Sequence, residues 1–584
     1  MHEYGGAAFN IDNYRQGIVF SNKSDRGVYL FLPNTKEVRQ IVQRDEWRFA
    51  DFDVHRSGSV VAIRELHYPE DDLPSTVVNE LVLIDVETKS VRTLVPGSAD
   101  MMFSTPKFSP DGKWMSWLQW SHPEMPWTGS LLKCAKFDSQ NGSLSNFEHL
   151  AGSGSHEGIS QPHWGPDSTL FYATDRSGFF QLQQVQLDKD VKSRPVVRGL
   201  ETVEHTAVEF MLGSFTYLPM SSKQLVLGYY REGSSEFALV DLDTGEWTRM
   251  ELPITDLSYD AMCRVTETEF LVHGSNPSSP PAVYKVTIHG TNITCQRIRK
   301  ALELDVPEAF ISTARVVSSP RLFGDNKDGQ VYGLLYEPAN PNFTAPPDSR
   351  APLIVYGHGG PTGHWKPTFD LDIQYWTSRG IAMVLLNYAG STGFGKAYRD
   401  LLDGKWGVID SADAASLAVH LGREGVVDVS KLGIYGPSAG GYLALKTICD
   451  FPDVWAASVS LFGIADMAIF NDTTHKFESH YMEALLYENP EKMSKAERDA
   501  VDQDRSPLTH AKRIEAPLLL LHGLADKVVP PDQSEAMARV LEERGKPVRL
   551  ELFEGEGHAR WQGEALRRSL AAQEDWWRQY LIRA

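Results

Sequence analysis

The chain has 584 residues, too many for one ordinary domain, and its 42% hydrophobic and 23% charged content is that of a folded globular protein. A formal net charge of −20 repels phosphate over most approaches, so nucleic acid is not an expected partner. The four cysteines, Cys134, Cys263, Cys295 and Cys449, stand far apart without a CxxC pair, which argues against a structural zinc site or a disulfide framework; no metal or organic cofactor is implied.

The first stretch, MHEYGGAAFNIDNYRQGIVF, lacks a basic start followed by an apolar core, and no apolar run approaches membrane-spanning length. A cytoplasmic protein without membrane partners is expected. The segments LFLPNTKEVRQIV, VLIDVETKSVRTLV and LVDLDTGEWTRMEL then lie over one another, with turn threonines at Thr35, Thr88 and Thr244. Each reads as an alternating strand, a polar turn and a second alternating strand, which is a hairpin. The turns are 53 and 156 residues apart, and further turn signals fall between and beyond them at Asn141-Gly142, near Asp190 and near Gly290. A period near 50 residues with about four strands per period is the pattern of a β-propeller of six or seven blades. Inner hairpins at Asp111-Gly112 and Asp167 fit the same scheme, and a β-sandwich array is the rival architecture.

Around Asp305 the pattern changes. The apolar runs PLIVYGH, IAMVLLNY, KLGIYG, AASVSLFG, PLLLLHG and VRLELFEG alternate with amphipathic stretches such as DSADAASLAVHLGREG. That succession predicts a mostly parallel sheet with helices on both faces, an α/β-hydrolase fold over residues 311–584 behind a propeller over 1–310.

KLGIYGPSAGGYLALK is the strongest chemical signal. A strand ends at Tyr435, Gly436-Pro437-Ser438-Ala439-Gly440 makes a tight turn, and a helix follows, which is the G-x-S-x-G nucleophile elbow. A serine hydroxyl needs a base, itself oriented by a carboxylate, and in this fold the order is Ser, acid, His. Asp526 follows the strand PLLLLHG and His558 follows VRLELFEG, so both lie just past strand carboxyl ends, where ligand groups gather in open α/β sheets. Asp532 and Glu554 are the nearest rivals for the acid, and His522, inside its strand, reads as a packed histidine. A tetrahedral intermediate needs an oxyanion hole. The Ala439 N–H supplies one donor and the loop PLIVYGHGGPTG the other, through Gly359 or Gly360, with His358 bracing that loop.

In order, HGGPTG, NYAGSTGFGKAYRD, GPSAGGY, HGLADKVVPP and FEGEGH behind a propeller resemble the prolyl oligopeptidase family of serine peptidases, in its acylaminoacyl-peptidase and dipeptidyl-aminopeptidase-like branch. The resemblance implies cleavage of short peptides, a propeller restricting access, a triad on Ser438, Asp526 and His558, and Gly360 as the loop donor. Two departures stand out. Members often carry Arg or Asn two residues after the catalytic Asp, where this chain has Val528, and they carry more sequence before the first blade. A ring that closes differently, or an incomplete blade, is therefore expected. The segment after AASVSLFG lines the acyl pocket in relatives, which makes Phe477 and Tyr481 pocket candidates beside Val528; Glu157, Glu204 and Glu209 are candidates for binding a free amino terminus. A short peptide is the expected substrate. An ester or other acyl small molecule is the alternative, favoured by Val528, and a propeller binding protein with an inactive hydrolase domain is the third reading. Whether a homo-oligomer forms is left open.

Overall fold

The computed structural model describes residues 5–68, 73–188, 190–304, 306–324, 329–468, 470 and 475–583. Asp305, where the sequence pattern changes, and Asn471–Thr474 of the expected pocket segment lie outside them. The chain divides into two compact units, one of residues 1–274, 282–299 and 475–481, the other of 275–281, 300–474 and 482–584. The division thus falls at Arg299/Lys300 where the sequence pattern suggested 310/311, and it assigns 475–481 to the first unit, a tertiary fact that strand periodicity does not register.

Among the described residues the first unit holds six four-stranded sheets, running from Phe9–Asp12 to Asn292–Lys300, and the pairings within the first five are antiparallel. All six turn signals read from the sequence join the third and fourth strands of a sheet. At three of them an aspartate fixes the turn: Asp85, Asp138 and Asp241 each accept two backbone N–H bonds from the residues two and three positions on. Apolar clusters join each sheet to the next, for example Val19 and Leu30 to Phe52 and Val60, and Phe171 and Leu182 to Tyr217 and Leu227. A single blade cannot bury both of its faces, so neighbours supply the core. The first strands of the second, third and fourth sheets share one device, a bulge at Asp51, Thr105 and Gln161, each with φ 53°. The bulges tie blades together: Asp51 N–H donates to Ala7 O (2.9 Å), and Thr105 N–H to Asp51 Oδ2 (2.6 Å).

The second unit is built on an eight-stranded sheet with spatial order Arg315–Pro320, Gln330–Tyr336, Ala382–Asn387, Leu353–Gly357, Leu432–Pro437, Ala457–Leu461, Leu518–Gly523, Val548–Phe553. The first two strands pair antiparallel and the second pairs antiparallel to Ala382–Asn387; from there on every pairing is parallel. Alternate residues feed two cores. Leu353, Val355, Leu518 and Leu520 pack under the helices Ile409–Arg423, Ala439–Asp450 and Asp532–Glu543. Ile354, Leu519 and Leu521 pack under Leu371–Thr377 and Gly563–Trp577. Burial on both faces explains why these strands read as continuous apolar runs. Among the described residues, no helix is long and apolar enough to cross a membrane.

Candidate active site

The strand Leu432–Pro437 ends at Ser438, whose φ 55° and ψ −122° are sparsely populated for a residue with a side chain, and the helix Ala439–Asp450 starts at the next residue. Such a conformation costs roughly 1–3 kcal/mol and persists only where the surroundings over-determine it. Here Ser438 N–H donates to Leu461 O (3.0 Å) and Ser438 O accepts from Tyr442 N–H (2.8 Å). The flanking glycines are sterically compulsory: a Cβ on Gly436 would strike the Gly440 backbone, and one on Gly440 would strike the Gly357 carbonyl.

His558 lies on the loop after Val548–Phe553, and Asp526 on the loop after Leu518–Gly523. The two loops bring them into one hydrogen-bonded chain with the serine. His558 Nε2 is 2.9 Å from Ser438 Oγ, and His558 Nδ1 is 2.7 Å from Asp526 Oδ2. The other carboxylate oxygen of Asp526, which is buried, accepts from the N–H groups of Val528 and Val529, both at 2.9 Å. With Oδ1 so occupied, Oδ2 holds the Nδ1–H tautomer of His558 and leaves Nε2 as the acceptor facing the serine. Asp532, heading its helix, and the exposed Glu554 take no part in this chain. His522 is a fully buried partner of Ser534 Oγ (2.7 Å) and Val529 O (2.9 Å), and burial lowers its pKa and keeps it neutral.

The loop after Leu353–Gly357 runs beside the serine: a Cβ on Gly359 would stand 3.6 Å from Ser438 Cβ. Gly360 follows with φ 126°, a conformation open to glycine, and Ala439 N–H heads its helix, where no intrahelical acceptor exists. His358 fastens this loop through Gly359 O (2.9 Å) and Ser391 Oγ (2.8 Å), with its ring stacked on Tyr388 at 4.2 Å. Burial lowers its pKa to about 4, so it stays uncharged.

Residues 367–583 match the model of the prolyl oligopeptidase family. A Mycobacterium tuberculosis puromycin-hydrolyzing peptidase of known structure is 30% identical, with a TM-score of 0.90 over 100% of this chain and 87% of that one. The chain belongs to the prolyl oligopeptidase family. A puromycin hydrolase mutant complexed with PGG is likewise 30% identical, with a TM-score of 0.87, 97% of this chain and 84% of that one being covered. Dipeptidyl aminopeptidase BIII of Pseudoxanthomonas mexicana is 31% identical over 240 residues, 40% of this chain. That match spans about a third of the relative, 34% of its length.

The remaining sequence candidates of this prolyl oligopeptidase family chain are not drawn into the hydrogen-bonded chain of Ser438. Val528 contributes its backbone N–H to Asp526, as above. Phe477 and Tyr481 belong to the first unit, almost wholly buried, where Trp127 packs 6.4 and 5.7 Å from their rings. The three candidate glutamates are all engaged: Glu157 with Arg176 and Thr174, Glu204 with Phe180 N–H, and Glu209 with Gln161 N–H and Ser160 Oγ. Sequence reasoning missed Phe462, whose ring lies 4.5 Å from that of His558, and Trp561, whose ring lies 6.0 Å from that of Phe462. A Phe-Gly pair at a strand end was the only signal for the first, and two residues' separation from Gly-His-Ala the only one for the second.

Proposed function

We propose that this protein is a serine peptidase that cleaves short peptides through an acyl-enzyme on Ser438. The observation that carries the reading is the unbroken chain Ser438–His558–Asp526 at 2.9 and 2.7 Å on a nucleophile elbow. Ser438 Oγ attacks the scissile carbonyl while His558 Nε2 takes its proton, and Asp526 stabilises the imidazolium that forms. The N–H groups of Gly360 and Ala439 receive the oxyanion. Collapse of the tetrahedral intermediate breaks the C–N bond, with His558 returning the proton to the leaving amine. Water, deprotonated by the same histidine, then releases the acyl group and restores Ser438.

An ester or other acyl hydrolase is the second reading, favoured by Val528, whose side chain offers no hydrogen bond to a substrate carbonyl. The four cysteines are free thiols, which suits the reducing cytoplasm we assign to the protein. Fluorophosphonate labelling of wild-type and Ser438→Ala protein, with turnover of acyl-amino-acid amides, dipeptide amides, puromycin and simple acyl esters, separates the readings. Labelling confined to the wild type together with amide turnover is the expected result. Ester turnover alone selects the second reading, and a wild type that resists labelling refutes both.

A further inference from the structure

Phe462 follows the strand Ala457–Leu461 with φ 39°, a left-handed backbone conformation in which an aromatic residue is a genuine outlier. Two contacts pin it there. Its N–H donates to Leu521 O at 2.8 Å, and the next residue, Gly463, passes so close to the Gly441 backbone that a Cβ would strike it. The ring is buried, with 4% of the residue exposed, and its centroid stands 4.5 Å from that of His558 at an interplanar angle of 52°. It also meets Trp561 at 6.0 Å, and Trp561 in turn packs on Phe553 at 4.3 Å. The indole N–H of Trp561 donates to Gly557 O (3.2 Å), the carbonyl immediately before His558.

We infer that Phe462 is a positioning residue for His558: its ring is the wall that holds the imidazole in the one orientation joining Ser438 Oγ to Asp526 Oδ2, and Trp561 locks that wall to the histidine loop. The inference rests on the reading of His558 as the base. An imidazole turns about a broad, roughly two-fold torsion, and its chain neighbours Ala559 and Arg560 are exposed. Asp526 fixes only Nδ1, so a ring packed against the imidazole is what keeps Nε2 from swinging off the serine. An aromatic wall also suits the imidazolium that forms during the reaction, because the ring quadrupole attracts a nearby cation. Backbone strain borne by the residue in contact with the base is the pattern expected where surrounding structure maintains a costly conformation for function.

Phe462→Gly tests this directly, because glycine accepts φ 39° without strain while removing the ring. With fold and melting temperature checked by circular dichroism, kcat is expected to fall about 10–100-fold with KM within about threefold, since a displacement of about 1 Å at a reacting group costs this order. The rate of fluorophosphonate labelling should fall in parallel, and Phe462→Tyr should restore both to within about threefold of wild type. Phe462→Leu, which keeps apolar bulk, covers the case of an unfolded glycine variant and is expected to lose at least about fivefold in kcat. Wild-type kcat and labelling rate in a folded Gly or Leu variant, or a loss confined to KM, would overturn the inference. Failure of the wild type itself to label would instead refute the assignment of Ser438 and His558, before any variant is compared.

Discussion

At the scale of single residues, Asp526 shows how one carboxylate is committed twice. Oδ1 is held by two backbone N–H groups and Oδ2 by the imidazole, so Asn at this position would present an amide that cannot enforce the Nδ1–H tautomer. Asp526→Asn is expected to lower kcat by about 10⁴-fold with the fold retained, as followed by steady-state kinetics and circular dichroism. The neighbouring Val528 acts through its main chain, so Val528→Ala should stay within about threefold of wild type, whereas Val528→Pro, which removes the N–H, should cost at least about tenfold. Equal loss in both variants would show that the side chain matters after all. The meeting of Ser438, Asp526 and His558 was legible because each sits just past a strand end in the order this fold imposes. Phe462 was not, because its meaning lies in a backbone angle forced by Leu521 and Gly441, which are remote in sequence.

Among the elements, the propeller hairpins announced themselves because a short polar turn closes each third-to-fourth-strand pair, three of them fixed by Asp85, Asp138 and Asp241. The bulges at Asp51, Thr105 and Gln161 did not, since one extra residue in a strand leaves apolar alternation looking merely ragged. Glu209, a candidate amine ligand from the sequence, is engaged at a blade bulge in the structure. Buried, it accepts Gln161 N–H at the fourth blade's bulge and lies near Ser104 of the third. Burial raises its pKa to about 7. Between its unfolded value, near 4.5, and about 7 the native state therefore binds more protons than the unfolded chain, so this group's contribution to stability falls as pH rises through that window. The penalty above pH 7 is at most about 3 kcal/mol. Glu209→Gln is expected to flatten the difference in denaturant midpoint between pH 5 and pH 8; an unchanged pH dependence would show that Glu209 does not titrate in this range.

For the whole molecule, sequence reading found two folds in the correct order and missed how the chain is shared between them. Residues 475–481 lie in sequence between two stretches of the hydrolase unit, yet Lys476, Phe477 and Tyr481 have partners among propeller residues. Lys476 Nζ donates to Asn79 Oδ1 and to Met101 O (3.0 Å), and His122 Nε2 is 3.0 Å from Lys476 O. Phe477 and Tyr481 pack against Phe210 at 5.8 and 6.1 Å, leaving 1% and 3% of each exposed. Burying two such side chains is worth about 1.5–3 kcal/mol each, a sum comparable to much of the 5–15 kcal/mol that keeps a typical domain folded. A fragment of residues 300–584 would carry this segment without its partners, presenting two aromatics and a lysine whose pKa is lowered to about 8 by burial in the intact chain. That fragment is expected to be poorly soluble and to bind a hydrophobic dye, and replacing Phe477 and Tyr481 with Ser should raise its soluble yield. In the full-length chain the same pair of replacements should lower the melting temperature by several degrees. A fragment that is monomeric and dye-negative without those replacements would show that the hydrolase unit folds independently of the segment's propeller partners.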